Sequence, residues 1–496
     1  MNYRILAKVQ GLLLLLLALA MLACALFARL DVVPTKHHDM VALLISAGIT
    51  ALAAVMLIFM GIGKIERIPR REGVVIVGIG WILSTLFGAL PFVFCPPYLE
   101  YSGAVFEAAS GFTTTGSSVI ADLSQWPRGL LLWRSVTQWL GGIGILVLFV
   151  AVLSYLGLGA KSLFRNESSF QTGEASTARI RDTALNLIRI YLGLSLACAL
   201  GLRAMGLSWF DAINHTFTAV STGGFSPYNT SIATYSHWGN GWLIELWLSL
   251  FMLLCSLNFL IFVVILARKW QRLRHQDDAI RCILLWALIA LAIGTGLHFD
   301  HRYTQDFWPA LADAWFMTVN IGSTTGFGTV DYELWPAWCK ALLAILMLAG
   351  GCSGSTAGGL KIGRLIVFLK SSAHEIIRAF RPNQVFRLVV NGNPIDDAAR
   401  ARTMSFVALY LFIVAASAVI VGILEAGQGI DLETCLGAVL ATLSNIGPGF
   451  GAVGPTENFS GLRDVTQLFL AGLMILGRLE LFAILVLFVP AAWKRY

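Results

Sequence analysis

Four stretches of this chain align with one another without a gap: residues 103–119 (GAVFEAASGFTTTGSSV), 211–227 (DAINHTFTAVSTGGFSP), 313–329 (DAWFMTVNIGSTTGFGT) and 436–452 (LGAVLATLSNIGPGFGA). In that register Gly116, Gly224, Gly326 and Gly449 share a column. The preceding column holds Thr115, Gly223, Thr325 and Pro448, and the one before it Thr114, Thr222, Thr324 and Gly447. The following column holds Ser117, Phe225, Phe327 and Phe450. A fourfold internal repeat decides the architecture before any single motif does.

The surroundings of the repeats are apolar. Hydrophobic residues make up 57% of the 496 and charged ones 13%, with a mean hydropathy of +0.75; a soluble domain carries about a quarter charged residues. Stretches long enough to cross a bilayer fall near 9–30, 40–62, 73–94, 129–157, 183–206, 241–266, 280–299, 335–350 continuing to 378, 403–424 and 464–493. That makes ten expected crossings. Four shorter apolar stretches, 101–113, 209–220, 308–322 and 432–445, are half-crossings ending in Gly/Thr/Ser-rich sequence. The first run, after Arg4 and Lys8, reads as a span rather than a secretory leader, because its length suffices to cross and a second span follows.

The expected fold is thus an all-α membrane protein. Four span, pore-helix, loop, span repeats surround a pseudo-fourfold pore, and two extra N-terminal helices belong to no repeat. The expected boundaries are 1–72 for the extra helices, then 73–160, 161–266, 267–402 and 403–496 for the repeats. With both termini cytoplasmic, 25 of the 35 Lys and Arg fall inside, in segments such as Lys64–Arg71, Lys161–Arg181, Arg268–Arg281 and Lys361–Arg402. This is the asymmetry of the positive-inside rule. Of the acidic residues, 17 fall outside, a balance that concentrates cations at the outer mouth.

Backbone that leaves a helix at membrane depth is tolerated only where it is buried in protein or lines a wet path. Four loops around an axis, each with a glycine able to take positive φ, can present a ring of carbonyls in place of a cation's water shell. The short helices would aim their negative ends at that ring, with Asp211 and Asp313 near the opposite, positive ends of two of them. A single Gly/Thr motif would more often be helix packing; four in matching places point to a filter.

These motifs resemble the TrkH/KtrB/HKT superfamily of potassium transporters, and within it the bacterial TrkH/TrkG type. The resemblance rests on SGFTTTGSS (110–118), STGGFSPYN (221–229), STTGFGTVD (323–331), NIGPGFGAVG (445–454), WLGGIGILVLF (139–149), GGCSGSTAGGLKIGR (350–364) and LGRLELF (476–482). The two leftover spans favour the TrkH type. The resemblance implies potassium uptake across a bacterial inner membrane. It also implies a filter at Thr114, Thr115, Gly116, Thr222, Gly223, Gly224, Thr324, Thr325, Gly326, Gly447, Pro448 and Gly449. A homodimer and a cytosolic nucleotide-binding gating subunit of the TrkA type are implied as partners, and K+ is the transported ion. The fourth loop departs most from the others.

Residues 350–360 (GGCSGSTAGGL) interrupt a span with sequence that cannot make a robust helix. With the resemblance, this reads as a gate loop beneath the filter, formed by Gly350, Gly351, Ser353, Gly354, Ser355, Thr356, Gly358 and Gly359. Arg478, a charge inside the last span, stands where the family has an arginine and is expected to act as a barrier and to anchor the loop. Gly354 and Gly359 have phosphate-loop spacing, but Leu360 occupies the lysine position and no strand precedes it, so no nucleotide site is expected in this chain. The basic segments 361–402 and 161–181 are expected to dock the gating subunit or to face anionic lipid; nucleic acid is not expected as a partner.

Two other function classes compete. An alternating-access symporter coupled to protons or sodium would leave carboxylates in mid-membrane, and the one well inside an expected span is Glu480. An enzyme is not expected: the eight His show no HExxH or paired metal spacing, and the eight Cys form no CxxC pair or disulfide framework.

Overall fold

The structure, a computed structural model, describes residues 3–31, 38–63, 70–156, 174–268, 270–271, 276–300, 306–384, 387–391, 393–479, 481 and 485; within 70–72, 147–156 and 174–181 it describes the backbone alone. The expected segments 64–69 and 161–173, and Glu480, lie outside the described residues.

Two N-terminal helices, α1 (Tyr3–Leu30) and α2 (His38–Met60), pack along each other. Glycine makes the approach possible: a Cβ on Gly11 would lie 2.7 Å from the carbonyl oxygen of Ala54, and one on Gly61 would lie 2.6 Å from that of Arg4. The first unit follows as α3 (Arg70–Gly88), α4 (Leu90–Phe94), the short α5 (Tyr101–Phe112) and α6 (Arg128–Leu156). The second comprises α7 (Glu174–Ala204), the short α8 (Trp209–Val220), α9 (Gly241–Ser256) and α10 (Leu260–Leu266). The third comprises α11 (Asp277–Phe299), α12 (Phe307–Gly322), α13 (Ala337–Ala349) and α14 (Ile362–Phe380), followed by a hairpin pairing Val389–Val390 with Asn393–Pro394. The fourth comprises α15 (Asp397–Leu424), the short α16 (Leu432–Leu443) and α17 (Asp464–Arg478).

Six helices are long and apolar enough to cross a membrane among the described residues: Tyr3–Leu30, His38–Met60, Gly73–Phe94, Asp182–Ala204, Asp277–Phe299 and Asp397–Leu424. The chain is a multi-pass membrane protein. The ten straight crossings expected from hydropathy are not all single helices. The stretch 241–266 bends by 96° between α9 and α10. The cause is a distant loop: the carbonyls of Cys255 and Ser256, which a straight helix would use itself, accept from the backbone N–H groups of Thr356 and Cys352. Asn258 then caps the new helix, accepting from the N–H of Leu260. The stretch 335–378 is likewise split, by the loop at 350–361 between α13 and α14.

Buried apolar residues form two clusters. One draws mainly on the second and third units, with Leu146, Leu440, Ile446 and Phe450 from the others; the other draws mainly on α1, α2 and the first and fourth units, with Phe210 and Leu360. The four short helices are part of these clusters.

Candidate functional site

All four short helices end the same way. A Thr or Ser caps each C-terminus: Thr113, Ser221, Ser323 and Ser444. The next residue is left-handed: Thr114 (φ 52°), Thr222 (φ 56°), Thr324 (φ 59°) and Asn445 (φ 56°). The one after donates its N–H five residues back: Thr115 to Ser110, Gly223 to Thr218, Thr325 to Asn320 and Ile446 to Ala441, at 2.7–2.9 Å. A positive-φ glycine completes each turn: Gly116 (90°), Gly224 (78°), Gly326 (87°) and Gly447 (107°).

These turns close on one another. A Cβ on Gly116 would lie 2.2 Å from the carbonyl oxygen of Gly223; one on Gly224, 2.0 Å from that of Thr325; one on Gly326, 1.8 Å from that of Ile446; and one on Gly447, 3.1 Å from that of Thr115. Each glycine abuts the next unit's main chain, and the fourth returns to the first, so the turns surround a common axis. Only glycine fits such seams, sterically and in φ.

The ring corrects the fourth loop's register. The turn equivalent to Thr114-Thr115-Gly116 is Asn445-Ile446-Gly447, two residues earlier than the gapless alignment places it. The five-back bond from Ile446 sets where α16 ends, and Asn takes the left-handed position more readily than most residues. Gly447 is therefore in the ring, in the glycine position. Pro448 follows it and lines the funnel wall. Gly449 leaves the ring: its N–H donates to Val453 (2.7 Å), its carbonyl accepts from the Tyr332 hydroxyl (2.6 Å), and it packs on Gly437 of α16. Asp313 is likewise not at a helix start, since α12 begins at Phe307; Asp211 is in the first turn of α8, where Ser208 is the N-cap.

Outside the ring the units are stitched in the same cyclic order. Asn229 donates to Asp122 (2.8 Å) and accepts from the N–H of Leu123 (2.7 Å), joining the first and second. The carbonyl of Gly328 accepts from Ile232 and Ala233, joining the second and third. Glu333 accepts from the N–H of Gly451 (3.0 Å), and Lys340 bridges Glu333 (2.9 Å) and Glu433 (2.6 Å), joining the third and fourth. Phe459 donates to the carbonyl of Ser118 (2.9 Å) and Ser117 to that of Gly447 (2.7 Å), closing the cycle. These contacts rim an open funnel of about 110 Å³ whose lining includes Gly116, Gly224, Gly326 and Gly447.

On the other side of the turns lies the loop between α13 and α14. It is not loose: Gly358 donates its N–H to the Thr324 hydroxyl (2.7 Å), and the Thr222 hydroxyl contacts that of Thr356 (3.2 Å). Thr356 reaches the carbonyls of Val220 (3.3 Å) and Cys255 (3.1 Å), and Gly354 accepts from the N–H of Phe259 (3.0 Å). Gly350, Gly354 and Gly359 take φ of 64°, 78° and 73° in its bends. Gly351 donates no side chain but its carbonyl accepts from Ile362 (3.0 Å), while Ser353 lies by Gly363 and Ser355 donates to the carbonyl of Cys352 (2.7 Å). Arg478, 3% exposed, donates from Nη1 to the carbonyl of Thr356 at 2.6 Å. Its Nε and Nη2, the Thr114 hydroxyl and Asn445 Oδ1 are buried without a hydrogen-bond partner among the described residues.

Sequence reasoning missed two charges. Glu107 of α5 and Arg134 of α6 form an ion pair at 2.7 Å with side chains 0% and 3% exposed. Breaking such a pair costs about 3–5 kcal/mol. The available signal was Glu107 itself, a carboxylate amid Phe106 and Ala108 in an otherwise apolar half-crossing.

The TrkH family, described as cation transport protein, matches residues 47–495. The chain is 34% identical over 502 residues to the Trk system potassium uptake protein TrkH of Halomonas elongata, covering 100% of both chains. It is 34% identical over 431 residues to the Trk system potassium uptake protein TrkG of Escherichia coli (strain K12), covering 86% of each. The crystal structure of the potassium transporter TrkH from Vibrio parahaemolyticus superposes with a TM-score of 0.88 at 30% identity, covering 100% of both chains. With family match, full-length relatives and fold in agreement, the chain belongs to the TrkH family of cation transport proteins.

Proposed function

We propose that this protein takes up potassium across a bacterial inner membrane, through a filter built by its four turns and a gate beneath them. The observation that carries the reading is the closed ring of positive-φ glycines, each set against the next unit's carbonyl. A rigid frame of main-chain oxygens offers a dehydrated monovalent cation fixed ligands, and the converging C-terminal helix ends add negative potential. The potassium named for the relatives agrees with it. The filter in this reading comprises residues 114–116, 222–224, 324–326 and 445–447, within repeats bounded at 73–160, 161–266, 267–402 and 403–496.

Loop 350–359, held by Thr222, Thr324 and Arg478, occludes the path when docked and clears it when displaced. Arg478 places a fixed positive charge beneath the ring, a barrier to a cation while the loop is in place. A cytosolic nucleotide-binding subunit of the TrkA type, docking on the basic segment 361–402, displaces the loop; the working assembly is a homodimer in lipid, with both termini cytoplasmic. No catalysis is required. The membrane potential supplies ~2.3 kcal/mol per charge per 100 mV toward inward flow.

The reading is tested by flux into liposomes containing purified protein, comparing K+, Rb+, Na+ and Li+ with and without the gating subunit. K+ and Rb+ are expected to enter faster than Na+ and Li+, more so with the subunit. Equal entry of all four would overturn the filter, and uptake that requires a proton gradient would favour a symporter instead.

A further inference from the structure

The first two turns are joined by a device that the other seams lack among the described residues. Arg134 spreads its guanidinium over three partners. Nε donates to Glu107 Oε1 (2.7 Å), Nη2 to the Ser118 hydroxyl (3.3 Å) and Nη1 to the carbonyl of Ser226 (3.1 Å). Its Cζ lies 4.0 Å from the ring centroid of Phe225. Glu107 in turn accepts from the Ser118 hydroxyl (3.1 Å) and the N–H of Val119 (3.1 Å). One buried arginine thus grips the segment leaving Gly116 and the segment leaving Gly224.

The site is asymmetric by sequence. In the observed register, the position of Glu107 is occupied by His215, Met317 and Ala438 in the other units, and Ser118 corresponds to Ser226. His215 Nε2 lies 3.2 Å from the Ser226 hydroxyl, and Thr329 contacts the sulfur of Met317 at 3.5 Å. Behind the exit segments of the first three units stands a side chain from the short helix, and the first of them is a carboxylate paired with an arginine. Arg134 also lines the funnel just outside the glycines, where a bare cation would repel the ion that must enter.

We propose that Glu107 and Arg134 are a positioning pair for the conducted cation. The forked guanidinium sets the spacing between the first and second turns, and Glu107 cancels its charge toward the funnel. Arg suits this role because its planar fork holds several acceptors in fixed geometry, which a lysine cannot do. The proposal rests on the cation-path reading above.

The test uses purified full-length protein in liposomes, with K+ and Na+ flux measured at low and high ionic strength. Glu107→Gln leaves the positive charge uncompensated, and K+ flux is expected to fall about tenfold at low salt and less at high salt, where screening shortens its reach. Glu107→Gln with Arg134→Gln is expected to recover most of the flux while lowering the K+:Na+ flux ratio about threefold. Should the first variant fail to fold, Arg134→Lys keeps the charge and loses the fork, and is expected to lower the K+:Na+ flux ratio about threefold. Wild-type flux and ratio in folded Glu107→Gln, or a wild-type ratio in Arg134→Lys, would overturn the pair's role. A wild-type protein passing no K+ would instead overturn the underlying reading.

Discussion

Arg478 of α17 donates to the carbonyl oxygen of Thr356 at 2.6 Å, tying the last helix of the fourth unit to a loop of the third. The bond joins elements separated by 122 residues, directly behind the turns, and Thr356 is the same residue that contacts Thr222. Removing the guanidinium therefore removes both a charge and a tether. Arg478→Ala is expected to raise Rb+ entry several-fold in liposomes lacking any gating subunit. Entry at the wild-type rate would show that the arginine neither bars the path nor holds the loop.

The tightest seam of the ring is at Gly326. An added methyl would meet the carbonyl oxygen of Ile446 at 1.8 Å, on a backbone with φ of 87°. The conformation alone costs about 1–2 kcal/mol for a residue with a side chain, and the clash must push two turns apart. Gly326→Ala is expected to cut K+ flux by roughly a hundredfold, about 2.7 kcal/mol on the transport barrier, and to narrow the K+:Na+ difference in what remains. Liposome flux at wild-type level would mean that the seam is not on the ion's route.

The fourth turn offers a test of register. Gly447, with φ of 107° and Thr115 as its neighbour, is in the ring, whereas Pro448 is on the funnel wall. Gly447→Ala is expected to reduce K+ selectivity, and Pro448→Ala to leave the K+:Na+ flux ratio within about twofold of wild type. The reverse pattern would restore the gapless alignment as the functional register.

How far the sequence reaches is visible at the same place. A dozen apolar residues running into Gly and Thr mark all four short helices, because a helix too short to cross must end where such residues allow a turn. The fourth turn is hidden in the sequence because Gly449-Phe450 imitates Gly224-Phe225 and Gly326-Phe327, while the helix end is decided by the bond from Ile446 to Ala441. The 96° bend after Ser256 was illegible for a different reason: it is imposed by loop 350–361, about a hundred residues away, taking the carbonyls of Cys255 and Ser256. The role of Glu107 is not legible in sequence because its partner Arg134 is on another helix, 27 residues on.

Asp122 is part-exposed beside the funnel, and hydrogen bonds from Asn229, Ser124 and Gln125 hold its carboxyl below the usual range. A carboxylate whose folded pKa is depressed contributes stability above its unfolded pKa and loses it as pH falls toward the folded value. The link between the first two units is thus expected to weaken below roughly pH 4. Thermal melting in detergent between pH 6 and 3 checks this, with Asp122→Ala expected to flatten the acid limb. An identical pH dependence in wild type and variant would exclude the contribution.

The most direct measurement of the central claim is anomalous scattering from crystals of the protein grown in Rb+. Density is expected on the axis between Gly116, Gly224, Gly326 and Gly447, within coordination distance of main-chain oxygens from all four turns. An axis free of Rb+, with the ion bound elsewhere or nowhere in the membrane-spanning part, would contradict it.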